Sequence, residues 1–225
     1  MNKLTLWAFP LLVTACQPSA DPNTAHTENL PAAAPLLPAP VTADTPVSAL
    51  PAGFRAALAA GHLTFQPPAG TLPTPVLKNA QMDYDYAVRM PGQQVEIRYA
   101  IRPLNGLPAE DQQGEDEGEV LVDPNMLYSS LLTVVALNIS GGQEPATQEF
   151  SPETVQQKFG ADWGATTKVS AGKEFGPGYA YCLVVALHKH NAADAYCFYL
   201  FNEQKDLNLL LDDPAADVFH ALRFR

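Results

Sequence analysis

Residues 179–201 read YAYCLVVALHKHNAADAYCFYLF, and this stretch decides the architecture. Two apolar runs flank a polar centre, which predicts a hairpin, and neither run alternates. A strand with one wet face alternates apolar and polar residues, whereas strands apolar on both faces lie in the middle of a sheet covered on each side. With the turn at Lys189-His190, Cys182 falls directly opposite Cys197, the placement a cross-strand disulfide requires. Two buried free thiols are the alternative reading.

Upstream, MDYDYAVRM (82–90) and QVEIRYAIR (94–102) do alternate. Folded about Pro91-Gly92, Val88 meets Val95, Tyr86 meets Ile97, Tyr84 meets Tyr99 and Met82 meets Ile101, with Asp85 facing Arg98. A one-residue slip would turn every apolar side chain to the wrong face, so this register is strongly specified. Between the hairpins, Asp123-Pro124 opens a helix running to Ser140 and stopped by Gly141-Gly142. Its run of about 14 apolar-rich residues is too short to span a bilayer and reads as a helix buried against a sheet. Ser151-Pro152 opens another, with Val155, Phe159 and Trp163 as its buried stripe. A short helix over 52–60 begins the folded part, and Asp213-Pro214 opens a last helix through Phe219 and Leu222. The pattern predicts an α+β fold, a mostly antiparallel sheet flanked by helices in an α/β/α sandwich.

The amino-terminal residues point elsewhere. Lys3, the apolar run Leu4 to Val13 and the segment LLVTAC (11–16) resemble a bacterial lipoprotein signal. That resemblance implies a signal peptide over 1–15, cleavage before Cys16 and lipidation of Cys16 with palmitate-type chains. It also implies anchorage to a membrane without crossing it, since two or more acyl chains hold stably where one does not. An ordinary secretory signal cut at Ala15 is the alternative. Gln17 rather than Asp after the cysteine implies, by the same resemblance, the outer membrane of the cell envelope. Residues 16–50, rich in Pro, Ala, Thr and Ser, read as a tether that cannot bury enough surface to order itself, leaving 51–225 as a single α+β domain. Lipidation of Cys16 leaves Cys182 and Cys197 as the pair in a compartment that permits disulfides.

With 24 acidic against 13 basic residues and a net charge of −11, the chain lacks the clustered cations that nucleic acid needs. Seven carboxylates between Glu110 and Asp123 lack the ligand spacing of an EF-hand and read as a mobile acidic loop. There is no GxSxG, no glycine-rich phosphate loop, no HExxH and no CxxC. His188 and His190, with Asp194 nearby, are weak candidates for zinc or copper, two ligands at a turn being a poor site; no metal or cofactor is expected.

The order of elements from Leu63 to Arg225, with FQPPAGTLP after a first strand, an early hairpin, a helix, the hairpin YAYCLVVALHKH and CFYLF, then AADVFHALRFR, resembles the PsbP/Mog1/DcrB-like α/β/α sandwich. The resemblance implies an accessory or protein-binding role without catalysis, in a membrane-anchored lipoprotein whose protein partner is unknown. An envelope hydrolase or glycan-active enzyme and a periplasmic metal binder are the alternatives.

Overall fold

Nine consecutive residues, Ala193–Phe201, are buried, so the stretch without alternation does run through the middle of the sheet. The computed structural model describes residues 50–104, 123–212 and 218–225. In chain order these form helix α1 (Ala52–Ala60), strands β1 (Leu63–Phe65), β2 (Leu72–Pro73), β3 (Tyr86–Arg89) and β4 (Glu96–Pro103), helix α2 (Tyr128–Ser140), strand β5 (Thr147–Glu149), helix α3 (Pro152–Phe159), strands β6 (Trp163–Ser170), β7 (Tyr181–Lys189) and β8 (Ala193–Phe201), helix α4 (Gln204–Asp212) and strand β9 (Leu222–Phe224). Short 3-10 turns at Pro124–Met126 and Val218–His220 precede α2 and β9.

Seven strands make one antiparallel sheet in the order β2-β3-β4-β8-β7-β6-β5, and β1 pairs with β9 apart from it. Both faces are covered. On one, Phe54 and Leu58 of α1, Val155 and Phe159 of α3, and the β1–β9 pair bury Ile97, Tyr99, Val185 and Tyr199. On the other, Leu132, Val135, Ala136 and Ile139 of α2 meet Phe175, Val184, Phe198 and Leu200. The fold is therefore α+β, a mostly antiparallel sheet between helical layers. Truncating a buried ring such as Phe54, stacked on Tyr86 with centroids 5.0 Å apart, costs about 3–5 kcal/mol in cores of this kind.

Helix ends follow local chemistry. The Ser151 hydroxyl accepts from the Thr154 N–H at 3.2 Å, with Pro152 in the first turn. Gly160 ends α3 at φ 64°, and a Cβ there would stand 2.6 Å from the Phe224 carbonyl oxygen, so no other residue fits without movement. Helix α2 stops at Gly141 in the left-handed region, where Gly142 N–H donates to Leu137 O and Gly141 N–H to Asn138 O, the paired bonds of a Schellman motif.

Several expectations are corrected. The early hairpin pairs Val88 with Ile97 and Tyr86 with Tyr99, two residues from the expected register. Pro91 and Gly92 (φ 77°) form a turn closed by Gln93 N–H to Met90 O, and Met90 N–H donates to Val95 O. Pro-Gly suits a type II turn, which splays two-residue hairpins, so the connection lengthens; a slip of two preserves facing, and the alternation could not detect it. Asp85 consequently accepts from Ile101 N–H and Arg102 instead of facing Arg98, and Tyr84 packs on the opposite face from Tyr86.

In the central hairpin Lys189 pairs with Ala193, and the turn is centred on Asn191, left-handed at φ 57°, a conformation asparagine tolerates. Trp163 begins β6 opposite His188 and is not on a helix. Helix α2 begins at Tyr128 after its 3-10 turn, and Val134 is half exposed, so the helix is covered on one side only. The last helix, α4, precedes Asp213-Pro214; residues 213–217 lie outside the described residues, and Leu222 lies in a strand. Residues 1–49 and the acidic run 105–122 also lie outside them.

Candidate functional site

At the β7–β8 turn, strand alternation sends His188 inward on the face covered by α2. Its Nδ1 stands 2.7 Å from Asp194 Oδ1, directly across the ladder, and both side chains are 4% exposed. A buried carboxylate accepts and an imidazole nitrogen donates, so the bond fixes the ring. Tyr128 stacks on that ring at 4.4 Å and leans on Trp163 at 4.7 Å.

The surrounding turns are tied down. Asn125 and Asn191 exchange hydrogen bonds, Nδ2 to Oδ1 at 3.0 Å and N–H to Oδ1 at 2.8 Å. Lys189 Nζ donates to Gly160 O at 2.7 Å. Asp123 accepts from the Asn125 backbone and side-chain N–H groups, which hold its carboxyl below the usual range. His190 is exposed, its N–H donating to Asp162 Oδ2. His188 and His190 thus occupy different surroundings, one under α2 and the other in the turn. Among the described residues no group of three or more His, Cys, Asp or Glu is placed to hold a metal ion.

Cys182 and Cys197 are not joined; both are free and buried. Cys182 pairs with Leu200 and Cys197 with Val185, and the two thiols lie in cores on opposite faces of the sheet. The expected register put the turn between residues 189 and 190; centring it on Asn191 shifts the partners by an odd number, and an odd shift reverses facing. Burial pushes both thiols up, Cys197 to about 12, so each behaves as a small apolar side chain and not as a nucleophile. Cys16 lies outside the described residues.

The opposite end of the sheet is open. The β3–β4 turn, the 177–179 loop and Asn202 enclose a cleft of ≈ 340 Å³. The strand that follows this turn, β4, carries a buried cation. Arg98 is 2% exposed, its Nε donates to Glu96 Oε1 at 2.6 Å, its Nη1 donates to Phe175 O, and its guanidinium lies over the rings of Tyr84 and Phe175. Asn202 braces the walls, its Nδ2 donating to Gln94 Oε1 at 2.7 Å and Gly178 O at 3.1 Å while its Oδ1 accepts from Ala180 N–H. Arg89 also lines the cleft.

Comparison with protein-family models, curated proteins and solved structures finds no match. The arrangement is therefore judged on its own chemistry. The His188 end is sealed by mutual pairing, whereas the Arg89 end is a solvent-facing concavity with polar walls. The sequence marked Pro91-Gly92 as a turn, Val95 as a strand residue and Arg98 as a partner of Asp85, but none of the Arg89-end residues as part of a site.

Proposed function

We propose that this chain is a lipid-anchored lipoprotein of the bacterial cell envelope, on the outer membrane, whose folded domain binds a protein partner and performs no catalysis. The observation that carries the reading is LLVTAC ending on Cys16 behind Lys3 and an apolar run. The Pro- and Ala-rich residues that follow are suited to a tether of about 3 Å per residue, which gives the domain reach from the bilayer. Further support comes from the α/β/α layering, which the PsbP/Mog1/DcrB resemblance implies, and from the braced cleft, which is a recognition geometry. The His188–Asp194 bond supports the non-catalytic reading because, among the described residues, it engages the one buried imidazole in joining β7 to β8.

The test is anchoring. The full chain expressed in a diderm bacterium should take up a palmitate analogue and partition into the detergent phase. Cys16→Ala should abolish labelling and move the protein to the aqueous phase. Equal partitioning of both proteins would overturn the proposal.

A further inference from the structure

We infer that the cleft between the β3–β4 turn and the 177–179 loop binds a peptide segment through a carboxylate, with Arg89 as the charge partner and Gln93 as a hydrogen-bond acceptor. The inference rests on reading the domain as a partner-binding module, and adds the chemistry of what it binds.

Two observations at the cleft are independent of one another. The first is an unused cation. Arg89 is exposed and lines the cleft, yet no carboxylate among the described residues pairs with it. Its ladder partner is Glu96, and the Glu96 carboxylate is taken by Arg98 at 2.6 Å. In a chain with 13 basic residues against 24 acidic ones, a guanidinium in a concavity with no carboxylate partner among the described residues is a conspicuous choice. The second is an orphaned acceptor. Gln93, which also lines the cleft, holds its Oε1 buried with no hydrogen-bond partner among the described residues. An unpaired buried acceptor costs free energy unless a donor arrives.

Together these ask for an anion beside an N–H donor. The planar fork of arginine fits a carboxylate with two parallel bonds. A backbone amide next to that carboxylate offers the N–H that Gln93 lacks, and a peptide contains both. Tyr179 adds a phenol kept protonated first by burial and then by the Glu96 carboxylate beside it, and that carboxylate is already engaged by Arg98. A phosphate is less well matched, since one arginine balances only part of its charge and the remaining named lining groups are neutral. The volume of ≈ 340 Å³ lies at the low end of ligand sites and suits two or three residues of a chain. Asn202, through its bonds to Gln94 and Gly178, holds both walls in place before binding, which lowers the ordering cost on association.

The experiment is a titration of the ¹⁵N-labelled full chain in detergent micelles. Three probes are compared: an acetylated dialanine with a free carboxylate, the same peptide as its terminal amide, and inorganic phosphate. The amides of Gly92, Gln93, Gly178 and Asn202 should shift with the free carboxylate, and the response should be at least tenfold weaker with the amide and with phosphate. Arg89→Gln should weaken the carboxylate response at least tenfold and Gln93→Leu several-fold, while amides near His188 stay in place, which reports that each variant is folded. Millimolar peptide that moves none of these amides would overturn the inference. So would an equal response to the terminal amide, a response to phosphate alone, or an undiminished response in Arg89→Gln. Because anchoring is read separately through Cys16, failure here removes the ligand class and leaves the lipoprotein reading standing, and the converse also holds.

Discussion

The two ends of the sheet each bury a cation-forming side chain beside a carboxylate, and they differ in what surrounds the pair. At the β7–β8 turn, His188 and Asp194 satisfy one another beneath Tyr128. At the other end Arg98 and Glu96, both on β4, do the same beneath Tyr84 and Phe175, but Arg89 of β3, the ladder partner of Glu96, lines a cleft. A polar group that finds its partner inside the fold contributes to stability and is withdrawn from recognition. One left without a partner at a concave surface is available to a ligand.

Removing the carboxylate at each end separates them, and the larger effect belongs to the cleft end. Glu96→Ala strands a guanidinium that cannot give up its proton. Breaking a buried pair in this way typically costs 3–5 kcal/mol. Because the Phe175 carbonyl and two aromatic faces remain, the expected loss is about 3 kcal/mol, or a fall of several degrees in the thermal midpoint. Asp194→Ala leaves the buried His188 ring without its acceptor, so the loss should be about 2 kcal/mol, the cost of one unsatisfied buried group. Chemical denaturation of both variants checks the order. A larger loss from Asp194→Ala would mean that the His188 end carries the heavier burden.

Much of this contrast was invisible in the sequence, for reasons that differ by region. The centre of the sheet was legible because β7 and β8 are apolar on both faces, and nothing but double burial explains that. The α3 cap was legible from Ser151-Pro152. Registers were not, because they depend on turn length: an even error at Pro91-Gly92 left facing intact, while an odd one at Asn191 placed Cys182 and Cys197 on opposite faces. Strand β6 was hidden because Trp163, four residues beyond Phe159, continued a helical stripe, and its small residues Gly164 and Ala165 show little alternation. The proximity of His188 and Asp194 was readable from their spacing about a turn. The cleft was not, since its residues come from three separate segments, each resembling an ordinary loop.

The free thiols give a third measure, this time of the sealed faces away from either end. An unfolded thiol ionises near pH 8.5, and burial pushes Cys197 up to about 12. The folded state therefore retains its proton where the unfolded state loses one. The contribution to stability is complete below about pH 8.5 and is lost as pH rises toward 12, by up to about 1.4 kcal/mol per pH unit for each thiol. Cys197→Ala should flatten the alkaline part of the stability profile, and reductant should leave the thermal midpoint of the parent chain unchanged. A midpoint lowered by reductant would show a disulfide after all.

The smallest effect tests whether an orphaned polar atom means recognition or merely cost. Tyr99 lies fully buried among Phe54, Phe65 and Tyr86, and its hydroxyl, like Gln93 Oε1, has no hydrogen-bond partner among the described residues. Burial raises its ionisation well above the usual tyrosine range, so the group is a neutral hydroxyl in an apolar core, and it is not among the residues that line the cleft. Removing the oxygen leaves the ring packing in place and eliminates an unmet desolvation cost. Tyr99→Phe should therefore stabilise the chain by about 1 kcal/mol, raising the midpoint by about 2–4 °C, and should leave the peptide response at Gly92 and Gln93 untouched. Gln93→Leu should hold or gain stability for the same reason and yet lose that response, because its orphaned oxygen belongs to a side chain that lines the cleft. Destabilisation by Tyr99→Phe would show that the core hydroxyl has a partner. A response lost in both variants would show that the cleft and the core are coupled, and the separation between sealed and open regions would fail.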